Sequence, residues 1–215
     1  MTNDDTVRTF APEIGLPTIG PEPSGATPLE DEDLQGLIPF YVASRSDLNQ
    51  VEFENIARAL PWAYHRAISG GHREILNFSF MLEIHKRMFS DVWRWAGTLR
   101  QRDTNIGVDP SEITHDCQAA LDDAIFWHEN NIHSLDERAA RIHGRLVAAH
   151  PFRNGNGRST RLIADLYLVA SSSSIFTWGH SSLDSDGEIR GRYIDTLVRA
   201  IDTNTYDGLV QFARS

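Results

Sequence analysis

His-Pro-Phe-Arg-Asn-Gly-Asn-Gly-Arg-Ser-Thr-Arg, residues 150 to 161, connects two helical patterns and decides the fold of this 215-residue chain. Before it, Ser134 and Glu137 have the spacing of a capping box, which predicts a helix that begins there. The apolar residues that follow recur at helical spacing and are Leu135, Ala139, Ile142, Leu146 and Ala149. After it, two adjacent apolar stripes predict a second helix, and they comprise Leu162, Leu166 and Val169 with Ile163, Tyr167 and Ala170. The quoted stretch is therefore a tight connection between two helices that each bury one face.

The residue types in this connection indicate an anion site. Pro151 disfavours α geometry at His150, which places that histidine at the end of the first helix. The Gly-Asn-Gly of residues 155–157 lets backbone amides converge at the N-terminus of the second helix, where the dipole favours an anion. Arg158 and Arg161 are three residues apart, so both can face the same phosphates. A histidine facing a phosphate cradle indicates phosphoryl or nucleotidyl transfer.

Each of these residues also has a plain structural interpretation. Alone, His150 would be an ordinary surface histidine at a helix end, but the adjacent Gly-Asn-Gly-Arg favours the functional interpretation. Asn156 is also typical of a loop in left-handed geometry. Arg158 and Arg161 have Asp165 as an alternative partner, since Arg161 and Asp165 are four apart on one helix. Both interpretations of the arginines can hold together.

The stretch resembles the core motif of the Fic (Fido) family, His-x-Phe-x-Asp/Glu-Gly-Asn-Gly-Arg-x-x-Arg. The matching residues are His150, Phe152, Gly155, Asn156, Gly157, Arg158 and Arg161, with Pro151 where many members have proline. Position 154 departs from the pattern, because it is Asn where most members have Asp or Glu. The motif is long and ordered, which argues against a chance match.

The resemblance covers roughly residues 46 to 213. Residues 84–100 are similar to the family's segment that leads into its active-site flap. Tyr193, Leu197 and Ala200 resemble the helix that closes the nucleotide pocket. Within the family, the subgroup named mobile mystery protein B is the most similar, on its Trp-x-Trp-Ala-Gly-Thr stretch and its Asn-Gly-Asn-Gly variant.

The resemblance implies an all-α, Fic-type helical bundle with a short β-hairpin flap, formed by residues 29–215. It also implies transfer of AMP from ATP, the co-substrate, to a Ser, Thr or Tyr hydroxyl of a target protein. His150 would take the proton from that hydroxyl. The implied phosphate-binding residues are Gly155, Asn156, Gly157, Arg158 and Arg161. Tyr193 would belong to the nucleotide pocket, and the flap residues that dock the target's backbone by strand addition would be Asn105, Ile106, Gly107 and Val108.

Asn154 stands where the family's acid would bind the Mg²⁺ that bridges the nucleotide phosphates. Its one neutral carbonyl oxygen predicts weaker metal binding, and an alternative is that the side chain caps the following turn. Two other functions stay open. One is a protein kinase like the related Doc toxins, or an enzyme that transfers another phosphate moiety, although the Doc toxins have lysine at the position of Gly157. The other is a non-catalytic nucleotide- or partner-binding module disabled at Asn154.

Helical patterns dominate from Ser46 onward, and the one exception is residues 97–110. The predicted helices are 48–64, 77–89, 111–130, 134–149, 157–170, 187–201 and 206–213. Residues 97–110 place Leu99, Ile106 and Val108 between glycines and Asn105, which predicts a β-hairpin or an extended loop. Residues 1–28 contain five of the nine prolines and predict a disordered acidic tail.

Composition excludes several classes of function. The net charge is −10, and residues 1–36 contribute eight of the 30 acids but one base, so no basic block indicates nucleic-acid binding. The single cysteine, Cys117, excludes an internal disulfide and fits a cytoplasmic protein. No apolar run approaches the roughly 18 residues of a membrane span. His143 and His150 are seven apart, yet no ligand spacing joins them into a zinc site.

Control by a separate protein is favoured over self-inhibition. Many Fic proteins have an inhibitory helix with Ser/Thr-x-x-x-Glu-Gly/Asn, whose Glu pairs with the second motif arginine. Glu54-Asn55 and Glu129-Asn130 supply only the ending, because Gln50 and Ile125 stand at the upstream position. The resemblance therefore implies that an inhibitor lies on another chain or that there is no inhibitor. The similar subgroup is typically paired with a helix-turn-helix protein, as in a toxin–antitoxin pair.

Overall fold

The helices that flank residues 150–155 form the centre of the fold. A computed structural model describes residue 19 and residues 28–180, 183 and 187–215. The α-helices of these described residues are α1 (Asp31–Leu34), α2 (Arg45–Ile75), α3 (Phe78–Phe89), α4 (Ile113–Glu129), α5 (Leu135–Ala149), α6 (Asn156–Ala170), α7 (Glu188–Thr203) and α8 (Asp207–Arg214). A single 3₁₀ turn at Trp178–His180 precedes α7. The predicted all-α class is confirmed, and α1 is a helix that the sequence patterns did not predict.

The predicted tail of residues 1–28 lies outside the described residues except for Ile19 and Pro28. Ile19 is buried and belongs to the hydrophobic core. In the part of the chain that the structure describes, none of the helices combines the length and the apolar character that a membrane crossing needs.

Helix α5 begins at the predicted residue, but its capping box is only half formed. Ser134 Oγ accepts a hydrogen bond from the Glu137 N–H at 3.1 Å, which satisfies one N–H of the first turn. The Glu137 carboxylate pairs with Arg141 at 2.9 Å instead of returning to Ser134. At the other end, His150 adopts left-handed geometry (φ 50°, ψ 59°) and stops the helix immediately before Pro151.

Helix α2 is longer than the predicted helix over residues 48–64. It begins at a true capping box, in which Ser44 Oγ accepts from the Asp47 N–H at 3.2 Å and the Asp47 carboxylate accepts from the Ser44 N–H at 3.0 Å. It continues through Pro61 and past Gly71, whose φ of 68° interrupts the helical backbone. The other predicted helices have ends within one turn of the observed ones.

The core lies between α5 and α6, with α2 and α3 on one side and α4 on the other. Small buried residues let these helices approach closely, and they include Ala63, Ala67, Ala139, Ala140 and Ala164. Larger side chains such as Leu146, Ile163 and Tyr167 fill the remaining space. Each fully buried aliphatic side chain contributes about 1.5–3 kcal/mol, so this packing holds the α5–α6 connection rigidly.

The flap segment, residues 97–110, does not form the predicted β-hairpin. Among the described residues the structure has one isolated bridge, between Leu37 and Trp93, and no strands. The hairpin fails because the flap's backbone groups have other partners: the Arg100 N–H donates to Pro151 O at 2.9 Å, and the Arg100 side chain binds flap carbonyls. The extended-loop alternative is correct.

Candidate active site

A cavity opens where α5 ends and α6 begins, and α2, α7 and the flap segment complete its wall. The predicted site residues that line it are His150, Asn154, Gly155, Asn156, Gly157, Arg158, Arg161, Tyr193 and Ile106. The predicted residues that lie outside its described wall are Asn105, Gly107 and Val108. The fold thus gathers the histidine, the anion loop and both arginines around one space, whereas one flap residue contacts it.

His150 is held in an uncommon backbone conformation at the end of α5. Its N–H donates to Leu146 O at 3.2 Å and to Val147 O at 3.1 Å, and its carbonyl accepts from Arg100 Nε at 2.7 Å. Left-handed geometry costs a non-glycine residue roughly 1–2 kcal/mol. These bonds offset that cost and direct the imidazole toward the cavity, where the residue is 4% exposed.

The environment of His150 keeps its imidazole neutral. Burial is the main cause that lowers its pKa to about 4, and the Arg100 guanidinium adds to the effect, while a hydrogen bond between the ring and the Val147 backbone opposes it. At neutral pH the ring therefore has an acceptor lone pair. This is the protonation state that a general base requires.

Gly107 is outside the cavity wall because it packs behind the histidine. A Cβ at this position would lie 2.6 Å from His150 Cβ and 2.6 Å from Arg100 Nη2. Its φ of 114° also disfavours any other residue. The flap backbone therefore lies directly against the histidine.

The anion loop is shaped by Gly155 and Asn156. A Cβ on Gly155, at φ 77°, would lie 2.6 Å from the Phe89 ring, so the loop packs on that ring without space for a side chain. The Asn156 amide accepts from the Phe152 N–H at 2.9 Å and donates to Phe152 O at 2.7 Å. The first turn of α6 has N–H groups without intrahelical acceptors, and it heads into the cavity. One Asn156 amide hydrogen remains beyond the bond to Phe152 O, so the predicted phosphate contact is still chemically available.

Gly157 differs from Gly155, because space surrounds it. A Cβ there would lie 3.4 Å from Arg161 Nη1 and 3.8 Å from the Tyr193 hydroxyl, both ordinary contacts. A longer side chain would enter the cavity between these two groups. Glycine at this position therefore keeps the space beside Arg161 open.

Arg158 forms an ion pair that the sequence did not reveal. Its Nη1 donates to Glu52 Oε2 at 2.7 Å, its Nη2 donates to Asn154 Oδ1 at 3.3 Å, and its guanidinium lies 5.0 Å from the Phe89 ring centroid. The other Glu52 oxygen accepts from Trp93 Nε1 at 2.7 Å. Glu52 is a buried acid on the stripe of α2 that includes Leu48, Asn55, Ala59 and Ala63. In the sequence, the signal for this ion pair was an acidic residue, Glu52, on the otherwise mostly apolar stripe of α2 that faces the core.

Arg161 does not form the alternative ion pair with Asp165. Asp165 accepts from Trp178 Nε1 at 3.1 Å and from the Phe176 N–H at 3.2 Å. Burial raises the pKa of Asp165 to about 6, against these hydrogen bonds and the nearby arginines. Arg161 instead lies over the Tyr193 ring, 5.3 Å from its centroid, on the cavity wall.

The Asn154 side chain caps the turn in this structure. Its Oδ1 accepts from the Gly155 N–H at 2.6 Å and from Arg158, which occupies both lone pairs of that oxygen. The carboxylate of Glu52, on the same cavity wall, has both oxygens engaged as well. Among the described residues, no group of three or more His, Cys, Asp or Glu is placed to hold a metal ion. The Asn154 oxygen therefore caps the turn in this structure, and its predicted role as a Mg²⁺ ligand stays a prediction.

A family model matches residues 75–168, and its description is Fic/DOC family. Residues 75–168 belong to the Fic/DOC family. This range includes the whole of the predicted motif and the flap segment. Glu52 on α2 and Tyr193 on α7 lie outside it, although both line the cavity of the Fic domain.

Relatives and solved structures agree with this assignment. The protein adenylyltransferase VbhT of Bartonella schoenbuchensis is 34% identical over 125 residues, which are 53% of this chain and 25% of VbhT. The structure of Fic-1 (residues 134–508) from C. elegans is 26% identical with a TM-score of 0.59 and covers 74% of this chain and 46% of that one. BepC of Bartonella tribocorum, solved with bound AMPPNP, is 14% identical and shares the fold, with a TM-score of 0.61 over 90% of this chain and 93% of that one. The chain thus spans about a quarter of the length of the curated relative VbhT.

His85 joins the Fic flap to the motif loop, a role that the sequence did not indicate. Its Nδ1 accepts from the Gly97 N–H at 3.0 Å, so its Nε2 carries the hydrogen that it donates to Asn154 O at 3.0 Å. The ring stacks on Phe152 with centroids 3.7 Å apart. Burial lowers its pKa to about 3, against the bond to Asn154 and aided by Arg158. The neutral ring therefore fixes the start of the flap relative to residue 154.

His143 joins the α7 wall of the cavity to the anion loop. Thr160 Oγ1 donates its one hydrogen to Asn156 O at 2.7 Å and accepts from His143 Nδ1 at 2.9 Å. His143 Nε2 then accepts from the Tyr193 hydroxyl at 2.9 Å. Burial, reinforced by Arg161, holds the pKa of His143 well below its usual value. This histidine is a hydrogen-bonding core residue and orients Tyr193.

Proposed function

We propose that this Fic domain transfers AMP from ATP to a Ser, Thr or Tyr hydroxyl of a target protein. The observation that supports it best is one cavity in which neutral His150 faces the N-terminus of α6 and the two motif arginines. The relatives VbhT and fic-1 are named protein adenylyltransferases. The domain that carries the activity comprises residues 29–215.

The chemical step begins at His150. Its neutral imidazole accepts the proton of the target hydroxyl as that oxygen attacks the α-phosphorus of ATP. The new P–O bond forms while the bond between the α-phosphorus and the bridging oxygen breaks, and diphosphate leaves with that oxygen. The target then carries AMP through a phosphodiester, and the imidazolium releases its proton to water. A pKa of about 4 makes the base available at every physiological pH.

The charge that develops in this step is held by the anion loop and the arginines. The amides of the first turn of α6, including those of Asn156 and Gly157, bind the phosphate oxygens. Arg158 and Arg161 bind the leaving diphosphate, and Arg158 must exchange at least part of its bond to Glu52 for it. A fixed donor aimed at developing charge contributes about 3–4 kcal/mol. Tyr193, oriented by His143, forms the nucleotide-side wall.

The target, its docking and its control extend this proposal. The target's backbone aligns with the flap at Asn105, Ile106, Gly107 and Val108, and Ile106 is both exposed and on the cavity wall. The protein acts in the cytoplasm, with a separate inhibitor or helix-turn-helix partner. Mg²⁺ is needed with ATP, and no step above uses a protein ligand for it.

Labelled ATP tests the function. Wild-type protein incubated with cell lysate should transfer label from [α-³²P]ATP to protein and should itself transfer none from [γ-³²P]ATP. Since kinases of the lysate also transfer the γ-label, only γ-labelling above the level seen with His150→Ala protein would indicate a Doc-like kinase. ATP binding without transfer of either label would indicate the non-catalytic module. Glycine at position 157 favours transfer of the α-label, since the Doc kinases have lysine at this position.

A further inference from the structure

Arg100 is a buried arginine whose guanidinium binds backbone carbonyls of two separate segments. It is 2% exposed. Its Nε donates to His150 O at 2.7 Å and its Nη1 to Arg102 O at 2.9 Å, while Nη2 donates to Val108 O and, at 3.4 Å, to Ala149 O. Two of these acceptors are in the flap segment and two are at the end of α5. One side chain therefore joins both arms of the flap to the histidine.

The chemistry of Arg100 favours a positional role over a purely stabilising one. Burial is the main cause that lowers its pKa, and the carboxylates of Asp103 and Asp109 oppose it only from beyond ion-pair distance. A buried cation without a direct anion is destabilising, and apolar packing commonly serves stability better. What the guanidinium adds is a planar set of donors with fixed directions, which lysine cannot reproduce.

The flap and the histidine are also in direct contact at this point. A Cβ on Gly107 would come within 2.6 Å of both His150 Cβ and Arg100 Nη2, so the flap lies against the pair without spare room. A shift of the flap would therefore move the backbone of His150, and a shift of His150 would move the flap.

We propose that Arg100 is a positioning residue, which fixes the flap and the His150 backbone in one register so that a target hydroxyl docked on the flap meets the imidazole. This proposal rests on the proposed AMP transfer. The proposed phosphate-binding groups belong to Gly155 and α6, and none of them is among the hydrogen-bond acceptors of the Arg100 guanidinium. Arg100 variants should therefore retain ATP affinity while kcat falls and the KM for the target rises. Misplacement of a reacting pair by about 1 Å lowers the rate on the order of 100-fold.

Arg100→Lys is the informative variant, because it keeps the charge but loses the fork. We expect its Kd for ATP to change less than about twofold, and its kcat to fall by about tenfold or more. Arg138→Lys is the matched control: Arg138 is also buried and donates to backbone carbonyls, those of Ile132 and His133, but at the opposite end of α5. Equal kcat in the two variants at equal Tm would overturn the proposal.

The pKa of His150 supplies a readout that does not need activity. Other charged groups around its cavity are Arg158 and Arg161 from α6, Glu52 and Arg45 from α2, and Arg190 from α7, and they are unchanged in the variants. Arg100→Gln removes a charge that lowers the pKa of His150, so NMR titration of the unliganded protein should show that pKa raised, whereas Arg100→Lys should leave it nearly unchanged. The acid limb of kcat/KM should move to higher pH in Arg100→Gln alone.

Gly107→Ala keeps Arg100 and displaces the flap, and it alters an exposed loop residue whose change should leave the core folded. It should reproduce the loss of kcat with unchanged ATP affinity, and full activity in this variant would overturn the proposal. If wild-type protein transfers no AMP, the proposed function fails by itself. Hydrogen exchange then decides the positioning role: unaltered protection of the flap amides in Arg100→Lys would refute it.

Discussion

Glu52 and Arg158 form an ion pair across the cavity wall, with 2.7 Å between Oε2 and Nη1. Arg158 belongs to the family motif, whereas Glu52 is on α2, outside the matched residues 75–168. The bond holds the guanidinium in one orientation. Glu52 also competes with the proposed phosphates for the positive charge of Arg158. Its effect on ATP binding is therefore the balance between orienting the guanidinium and competing for it.

Glu52→Gln is expected to strengthen ATP binding by a few-fold and to lower stability. The reason is that Arg158 loses the negative charge of Glu52, and removing one partner of a partly buried pair costs about 1–3 kcal/mol. Isothermal titration and thermal unfolding measure the two effects. Glu54→Gln is the control, since Glu54 is exposed on the same helix and bonds to Gln50. Weaker ATP binding in Glu52→Gln would mean that orientation of Arg158 outweighs competition.

Arg158→Ala should weaken ATP binding and slow transfer, by about 2–4 kcal/mol in total if the contact to phosphate is charge-assisted. Titration calorimetry with ATP and initial rates give the two contributions. Arg58→Ala removes a comparable charge from an exposed pair with Asp91 and should change neither. If ATP affinity and rates are unaltered in Arg158→Ala, the arginine serves the structure alone.

His150→Ala should abolish transfer while ATP binding and folding stay nearly intact. The imidazole borders the existing cavity, so its loss enlarges that space without opening a new void in the core, and alanine meets similar strain at φ 50°. Calorimetry, thermal unfolding and transfer of the α-label test this together, with His65→Ala as the exposed control. Wild-type transfer by a folded His150→Ala protein would exclude this residue as the base.

Stability should fall as the pH is lowered from 7 to 5. Burial lowers the pKa of His85 to about 3 and of His150 to about 4, so the unfolded chain binds more protons than the folded one between these values and about 6.5. Each such histidine contributes a slope of up to about 1.4 kcal/mol per pH unit. Asp165 acts in the opposite sense, because its raised pKa of about 6 favours the folded state as the pH falls. We expect the histidines to outweigh it, since they are more numerous. Urea unfolding at pH 5, 6 and 7 measures the balance, and stability that is flat or rises on acidification would contradict it.

Local signals in the sequence predicted the helices around the motif well. Ser134 caps α5 at the predicted residue, because the cap depends on a partner three positions away. The residues that the sequence missed depend on distant partners: Glu52 binds Arg158 over 106 positions, His85 binds Asn154 over 69, and Arg100 binds His150 over 50. Helical periodicity does not encode such pairings.

The wrong prediction of a hairpin in the flap has a related cause, which is a side-chain contact that the local sequence pattern does not encode. Alternating apolar residues and glycines predicted strands, but the carbonyls of Arg102 and Val108 are bound by the Arg100 side chain. The Arg100 side chain thus takes the place of the partner strand that a hairpin needs. The local sequence pattern does not distinguish a hairpin from a loop bound in this way.

Asn154 supplies a test that separates a metal ligand from a turn cap. Its Oδ1 accepts from the Gly155 N–H at 2.6 Å and from Arg158, so in this arrangement the side chain supports the loop. Asn154→Ala should then leave the Mg²⁺ concentration for half-maximal transfer unchanged while it lowers Tm, since the N–H of Gly155 loses its acceptor at about 1 kcal/mol. Asn154→Asp keeps that acceptor and adds a carboxylate of the kind Mg²⁺ prefers. We expect this variant to reach half-maximal transfer at lower Mg²⁺ and to be at least as fast as wild type. Mg²⁺ titrations of the three proteins decide the matter. A higher Mg²⁺ requirement in Asn154→Ala would show that the wild-type amide oxygen is a ligand, and coincident curves for all three would place residue 154 away from the metal altogether.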